Sequence, residues 1–350
     1  MLKKVQEKVE YKSVDISIVI VSYNCREYLQ KCLASVEQAQ KKSGLVVETI
    51  VVDNDSRDGT KKLKEYKKYS WVKWIDSKNN GFGAGNNIGL KRSRGKYVFL
   101  LNPDTKLSGN CLWKMFEYMQ MHPDIGVLGP KLVYGDGSLQ ISAYDNFPGL
   151  LSAFWENTLL DRIGYWLFPD RIYPGKLFSR KLHGDYDREV AHLIGAAMFV
   201  RHEVYDMVGG FDEQFFMFRE ETDWQYRMKK VGSKIVYFPK VKVVHYEGKS
   251  TGETRFKKQN WMKKLDMYLP SVYKYQQKWG GDGSQWVLWL IYILGSVWTI
   301  LILLMIWIVN NIFGWLANNL RIRINKSVAD IALYHWMILY WHWLRLFKEF

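Results

Sequence analysis

Cysteine is scarce in this chain, with only Cys25, Cys32 and Cys111 among 350 residues. Three thiols placed toward the N-terminus make neither a disulfide framework nor a zinc site, and they read as reduced thiols of a cytosolic protein. The charged stretch Met1 to Glu10 lacks an apolar core. It is not a secretory signal, and the bulk of the protein is expected on the cytoplasmic side. Acids are outnumbered too: thirty-five Asp and Glu face fifty Lys and Arg, a net charge of +15. That surplus suits nucleic acid, an anionic membrane surface or anionic small substrates, and alone it does not choose among them. Internal repeats and low-complexity tracts are absent.

What is present is a folding composition. Hydrophobic residues make up 48% and charged residues 24%, which excludes a disordered or collagen-like chain. At ~150 residues per domain the length suits about two domains, or one with an appendage. Aromatics are plentiful, with 16 Trp and 22 Tyr, and Trp gathers in the last quarter. Rings with one polar atom favour membrane interfaces.

Ile16 to Val21 is a nearly continuous β-branched run that stops at Ser22-Tyr-Asn24, as a strand buried on both faces of a parallel sheet would. A helix from Arg26 to about Gln40, a strand Val46 to Val52, the polar cluster Asp53 to Gly59 and a Lys-rich helix to about Tyr69 follow. Strands at Val72 to Ile75 and Tyr97 to Leu101 end in Asn79 to Asn87 and in Asn102-Pro-Asp104. In such α/β sheets ligands bind at the strand C-terminal ends, so chemistry is expected at Asn24, Asp53 to Ser56, Asn86 and Asn102 to Asp104. The second half reads as a helix near Asn110 to Met121, strands near Gly126 to Tyr134, and an aromatic, substrate-facing insertion from Gly135 to Glu189. A strand Ala196 to Val200, an acidic helix Glu220 to Val231, and strands Lys234 to Phe238 and Val241 to His245 complete it.

Trp286 to Val309 carries no charge; as a helix of ~1.5 Å per residue it is about 36 Å long, enough to cross a ~30 Å hydrocarbon core. In Val328 to Phe347 the polar residues Asp330, His335, His342 and Arg345 fall within an arc of about 140° on a helical wheel, which suggests an in-plane helix. Lys263, Lys264, Lys274 and Lys278 precede the first stretch and Arg321, Arg323 and Lys326 follow it. Positive charge on both sides leaves a span, a hairpin and two interfacial helices open.

Gly81-Phe-Gly-Ala-Gly85 is not a dinucleotide fingerprint, because Asn86 stands where the last glycine belongs and the segment follows the third strand. Taken in order, the motifs Ile18-Val-Ile-Val-Ser-Tyr-Asn24, Ile50-Val-Val-Asp-Asn-Asp-Ser-Arg-Asp-Gly59, Asn80-Gly-Phe-Gly-Ala-Gly-Asn-Asn-Ile-Gly89, Leu100-Leu-Asn-Pro-Asp-Thr105, Gly209-Gly-Phe-Asp-Glu-Gln-Phe-Phe-Met217 and Val243-Val-His245 form one series. It resembles glycosyltransferase family 2, bacterial rhamnosyltransferase-like branch, from about Asp15 to Thr251. The resemblance implies a GT-A fold, an α/β Rossmann-like mixed sheet, with a nucleotide-sugar donor, Mg²⁺ or Mn²⁺, and inversion at the anomeric carbon.

The resemblance assigns donor binding to Ser22, Tyr23, Asn24, Asp53, Asn54, Asp55, Ser56, Asn86, Asn87 and Asn102, several of which are also ordinary turn or cap residues. Asp104 occupies the place of the family's Asp-x-Asp metal motif, with Asn102 for its first acid, and His245 matches a late metal-ligand histidine. One or two carboxylates suffice when a pyrophosphate supplies other oxygens. Direct displacement needs one base to take the acceptor's proton. The matching acids are Glu220 and Glu221, with Asp223 two positions on; Glu221 is the expected base, one methylene longer than the usual Asp. Ala191-His192 replaces the usual Asp-Trp.

The expectation is a hexosyltransferase-class enzyme moving a sugar, L-rhamnose from dTDP-rhamnose in the first reading, to a lipid-linked or growing surface glycan at the cytoplasmic face of the membrane. Hexosyl or mannosyl transfer from UDP- or GDP-sugars and an inactive membrane-bound scaffold are the alternatives; nucleic acid is not an expected partner. The expected organisation is a tail 1–14, a catalytic domain 15–252, a basic connector 253–285 and membrane-associated helices 286–350.

Overall fold

The computed structural model describes residues 14–158, 160, 185–246, 261–316 and 326–345. The expected tail before Val14, residues 159 and 161–184 of the expected insertion, residues 247–260 and the stretch holding Arg321 and Arg323 lie outside the described residues.

The elements in chain order are β1 (Ile16–Ser22), α1 (Arg26–Ser43), β2 (Val47–Asn54), β3 (Val72–Ser77), α2 (Phe82–Leu90), β4 (Tyr97–Leu101), β5 (Thr105–Leu107), α3 (Cys111–Met121), β6 (Ile125–Val133), β7 (Ala143–Tyr144), α4 (Leu150–Asn157), β8 (Arg188–Glu189), β9 (His192–Leu193), β10 (Ala197–Arg201), α5 (His202–Val208), α6 (Glu220–Lys230), β11 (Lys234–His245), α7 (Trp261–Trp279), α8 (Ser284–Leu316) and α9 (Lys326–Arg345). The main sheet runs β3-β2-β1-β4-β10-β6-β11-β5, with β8 on β11. β1 to β4 pair in parallel, and β10 is antiparallel to both β4 and β6. The apolar runs form strands because both faces are covered: Ile16, Ile18 and Ile20 face α1 and α3, while Val19 faces α2 and α6.

Two expectations are corrected. The Lys-rich segment is not one helix but two short 3₁₀ turns, Thr60–Glu65 and Lys67–Tyr69. Lys61, Lys64 and Lys68 would stack like charges at helical spacing, and only Leu63 and Tyr69 offer apolar anchors. Lys234 to His245 is one strand, not two; its register against β6 shifts between Phe238 and Lys242, where Pro239 cannot donate to the ladder.

The C-terminal helices carry their own core of Leu265, Leu269, Leu288, Tyr292, Ile338 and Trp341, joined to Ala153 of α4. Their polarity is inside out. Ser296 and Thr299 of α8 and His335 and His342 of α9 are buried, while Leu294 is 63% and Trp343 58% exposed. The expected polar arc of α9 thus faces protein at His335 and His342 and leaves Trp336, Tyr340 and Trp343 outside. Such a surface suits apolar surroundings.

Candidate active site

The parallel register puts Ser22 beside Asp53 at the C-terminal ends of β1 and β2. Ser22 Oγ, Asp53 Oδ1 and Asn54 Oδ1 are buried there without a hydrogen-bond partner. Buried orphan acceptors are costly unless something completes them, and their clustering marks a ligand wall. Burial raises the Asp53 carboxyl above its ordinary value, opposed by the Ser56 N–H it accepts at 3.2 Å. The loops after β1 and β2 are cross-tied: the Asn24 N–H donates to Ser56 Oγ at 3.0 Å and the Arg57 N–H to Asn24 Oδ1 at 2.7 Å. Left-handed backbone at Asn24 (φ 49) and Asp55 (φ 64) makes these turns, which leave Tyr23 exposed beside the wall. Asp55 itself faces solvent and pairs with Lys61.

α2 starts against this wall because glycine allows it. A side chain at Gly81 (φ 104) would meet the Phe216 carbonyl, which accepts the Phe82 N–H at 3.0 Å. Asn54 Nδ2 donates to the Gly81 carbonyl at 3.1 Å. Asn86 and Asn87 do not present free amides: Asn86 Nδ2 donates to Phe82 O, and Asn87 Nδ2 to Phe211 O and Glu213, while Asn87 Oδ1 accepts the Phe211 N–H. Asn87 joins α2 to the turn before the acid pair.

β5 pairs with β11 so that His245 stands opposite Thr105, next to Asp104. Asp104 and His245 are both buried, and His245 Nε2 lies 3.4 Å from Asp104 Oδ1. On the other side of the ring, Nδ1 donates to Gln140 Oε1 at 3.1 Å. In neutral imidazole that leaves the Nε2 lone pair facing a carboxylate oxygen, and two such acceptors attract a cation. An oxygen–nitrogen pair of this kind fits Mg²⁺ or Mn²⁺ with a diphosphate completing the shell. Among the described residues no third His, Cys, Asp or Glu joins them. Cys32, 3.6 Å from Thr105 Oγ1, is no ligand: burial pushes its thiol up to about 12.

The acids converge on the same end of the sheet. The Asn102 N–H donates to the Ala196 carbonyl at 2.9 Å, and a side chain at neighbouring Gly195 would lie 3.4 Å from Glu221 Cβ. Asn102 Oδ1 is itself a buried acceptor without a partner, as are Glu220 Oε2 and Glu221 Oε2. Burial raises both glutamates above the ordinary carboxylate range, Glu220 well above, with Glu221 beside it raising it further. Two adjacent carboxyls do not both ionise cheaply, so the deeper Glu220 keeps its proton more readily than Glu221. Asp223 is spent elsewhere, on Arg227, Lys278 and Trp279. Gln140 carried no sequence signal, because a polar residue in an irregular loop has no periodic mark.

The mixed sheet, with polar strand ends, an Asp–His pair and buried acids at one end, is the GT-A fold. Residues 17–187 match the family model for glycosyl transferase family 2. N-acetylglucosaminyl-diphospho-decaprenol L-rhamnosyltransferase of Mycobacterium tuberculosis is 28% identical over 249 residues, 68% of this chain and 78% of that protein. The low-salt glycan biosynthesis hexosyltransferase Agl10 of Haloferax volcanii is 28% identical over 69% of this chain and 70% of its own. The solved mannosyltransferase PcManGT from Pyrobaculum calidifontis, in complex with GDP-Man and Mn²⁺, has a TM-score of 0.57 at 12% identity, covering 97% of this chain and 89% of that one. In sequence the chain is thus similar to glycosyl transferase family 2 over residues 17–187 and is rhamnosyltransferase-like.

Proposed function

We propose that this chain is an inverting, divalent-metal-dependent transferase that moves L-rhamnose from dTDP-rhamnose to a lipid-linked glycan at the cytoplasmic face of a membrane. The observation that carries the reading is the pairing of Asp104 with His245 at 3.4 Å, with Glu221 at the same end of the sheet. Ser22, Asp53 and Asn54 would take the nucleoside end of the donor through their unpartnered oxygens. Asp104 and His245 would hold Mg²⁺ or Mn²⁺, whose charge steadies the departing nucleoside diphosphate. Glu221 would accept the proton of the acceptor hydroxyl as that oxygen attacks the anomeric carbon from the face opposite the diphosphate. The rhamnosyl choice rests on likeness to the mycobacterial enzyme, whose name also supplies the diphospho-lipid acceptor. The proposed organisation is a catalytic unit over 15–252, a connector over 253–285 and membrane-associated helices over 286–350, supported by the inside-out polarity of α8 and α9.

A hexosyl donor is the second reading, favoured by equal identity to the Haloferax volcanii hexosyltransferase. Nucleoside diphosphate release by the detergent-purified chain separates them, run across dTDP-rhamnose, UDP-hexoses and GDP-mannose with Mg²⁺, Mn²⁺ or chelator, and with or without a membrane lipid extract. Lipid-stimulated, metal-dependent release from dTDP-rhamnose is expected. Release from a UDP- or GDP-sugar instead would replace the donor, and release unaffected by chelator would remove the metal.

A further inference from the structure

Immediately before the acid pair the backbone is left-handed at two consecutive residues, Phe218 (φ 68) and Arg219 (φ 69). Left-handed backbone costs roughly 1–2 kcal/mol at each non-glycine residue, so the surroundings impose it. The result is an unusual placement of a cation. Arg219 Nη2 donates to the Tyr268 hydroxyl of α7 at 3.1 Å, and the guanidinium lies 5.6 Å from the centre of that ring. Arg219 Nε is buried without a hydrogen-bond partner. Among the described residues Arg219 forms no ion pair, although Glu220 and Glu221 follow it directly and each keeps an unpartnered buried oxygen. A buried guanidinium edge left open beside carboxyls that it does not clasp is a binding group in want of an anion.

We propose that Arg219 is the acceptor's anion subsite: its guanidinium takes phosphate oxygens of a lipid-linked diphosphate and so holds the acceptor against Glu221. The proposal rests on the lipid-linked acceptor put forward above. Arg219 is a binding residue in it, not a base. In that reading the donor's diphosphate is provided for elsewhere, at Asp104 just before β5 and His245 at the end of β11. Arg219 is instead fastened to α7, whose chain runs on into α8, and α8 leaves Leu290, Leu294, Trp298 and Leu301 exposed. A polyprenyl chain lying on that apolar surface would bring its phosphates to the α7 side of the acid pair. Guanidinium suits this role because its planar fork meets two phosphate oxygens at once.

The test is binding by the full chain in detergent, with farnesyl diphosphate as the probe and farnesol, inorganic pyrophosphate, dTDP and phosphatidylglycerol vesicles as the other arms. Arg219→Met is expected to weaken farnesyl diphosphate at least ten-fold while leaving farnesol, dTDP with Mn²⁺ and vesicle binding unchanged. Arg219→Lys keeps the charge without the fork, and it decides the matter should the Met variant fail to fold; an intermediate loss is expected of it. Unchanged farnesyl diphosphate affinity in the variants, or none in the parent protein, overturns the subsite. A loss of dTDP affinity instead would move Arg219 to the donor, and a loss of vesicle binding would assign it to bulk headgroups; either overturns the proposal. Binding needs no turnover, so a chain that binds farnesyl diphosphate through Arg219 yet transfers no sugar would leave the subsite standing and overturn the transferase reading.

Discussion

Asp223 and Lys278 meet at 2.8 Å, and this contact joins the helix that carries the acid pair to the first C-terminal helix. Asp223 is fully buried and also accepts from Arg227 at 3.0 Å and from the Trp279 indole at 2.8 Å. Four more bonds run from the same helix to the preceding loop: Lys278 to Asp212, Lys274 to Gln214 O, Ser271 to Met217 O, and Tyr268 to Arg219. The loop that sets Glu221 is therefore braced by the first of the C-terminal helices.

Asp223 thus has a structural role that its place beside two glutamates disguises. Asp223→Asn should cost about 2 kcal/mol, since it removes a fully buried anion from Arg227 and Lys278, a loss softened by the partial exposure of both cations. Denaturant unfolding measures it. Transfer per folded molecule should stay within a few-fold of the parent, whereas Glu221→Gln should lose at least ~10²-fold with its unfolding midpoint unchanged. A D223N protein as stable as the parent but inactive would reverse these two roles.

The strands were legible because Ile16 to Val21 and Tyr97 to Leu101 are apolar on both faces, a pattern with one structural solution. Their polar ends were legible for the same reason: Ser22, Asp53 and Asp104 fall where the apolar runs stop. The brace was not, because Ser271 and Lys274 bond to carbonyl oxygens, which any sequence supplies. Nor was Asn87's true place, since an amide at a helix start fits a ligand and a chain crossing equally well, and only the fold brings Phe211 and Glu213 to it. In α9 the period of polar residues was readable, but which side faced protein depended on Ser296 and Tyr273.

Gln140 fixes the tautomer of His245, so its loss should act on cation affinity before anything else. Gln140→Leu should weaken Mn²⁺ binding about 10- to 100-fold, the usual effect of removing a partner behind a ligating imidazole. Calorimetric titration of Mn²⁺ in the presence of dTDP reads this without turnover. Asp104→Asn should abolish the same binding. Full Mn²⁺ affinity in both variants would remove the cation from this pair.

The acid pair makes a pH prediction with opposite readouts for its two members. Glu220 has its folded-state pKa raised above 4.5 by burial and by Glu221. Its contribution to stability is therefore complete below 4.5 and is lost as pH rises through the raised value. Unfolding free energy should increase as the solution is taken from pH 8 toward pH 5, and Glu220→Gln should flatten that slope. Turnover follows Glu221, whose own raised pKa puts the acid limb of kcat above 4.5. The limb should persist in Glu220→Gln. A slope unchanged by that substitution would place the proton elsewhere.

Among the described residues one helical window, Ser284–Met305 of α8, is long and apolar enough to cross a bilayer by length and composition. Along that window, however, one side is fastened to protein: Thr299 Oγ1 donates to Asn157 O at 2.7 Å, Ser296 meets His335 at 3.1 Å, and Gly295 lies against Asn157. A helix docked on α4 in this way is expected to lie on one side of a bilayer, with its free face turned to lipid. Leu294 and Leu301 stand on that face, 63% and 52% exposed. Burying each leucine in lipid is worth about 1.5–3 kcal/mol, so Leu294→Lys with Leu301→Lys should weaken vesicle binding by roughly 100-fold or more while leaving the melting temperature near the parent value. Flotation of the full chain with vesicles measures the first and a thermal melt the second. A crossing helix would instead keep the protein in the membrane fraction after alkaline carbonate, and a parent protein that resists carbonate would replace the in-plane arrangement with a span.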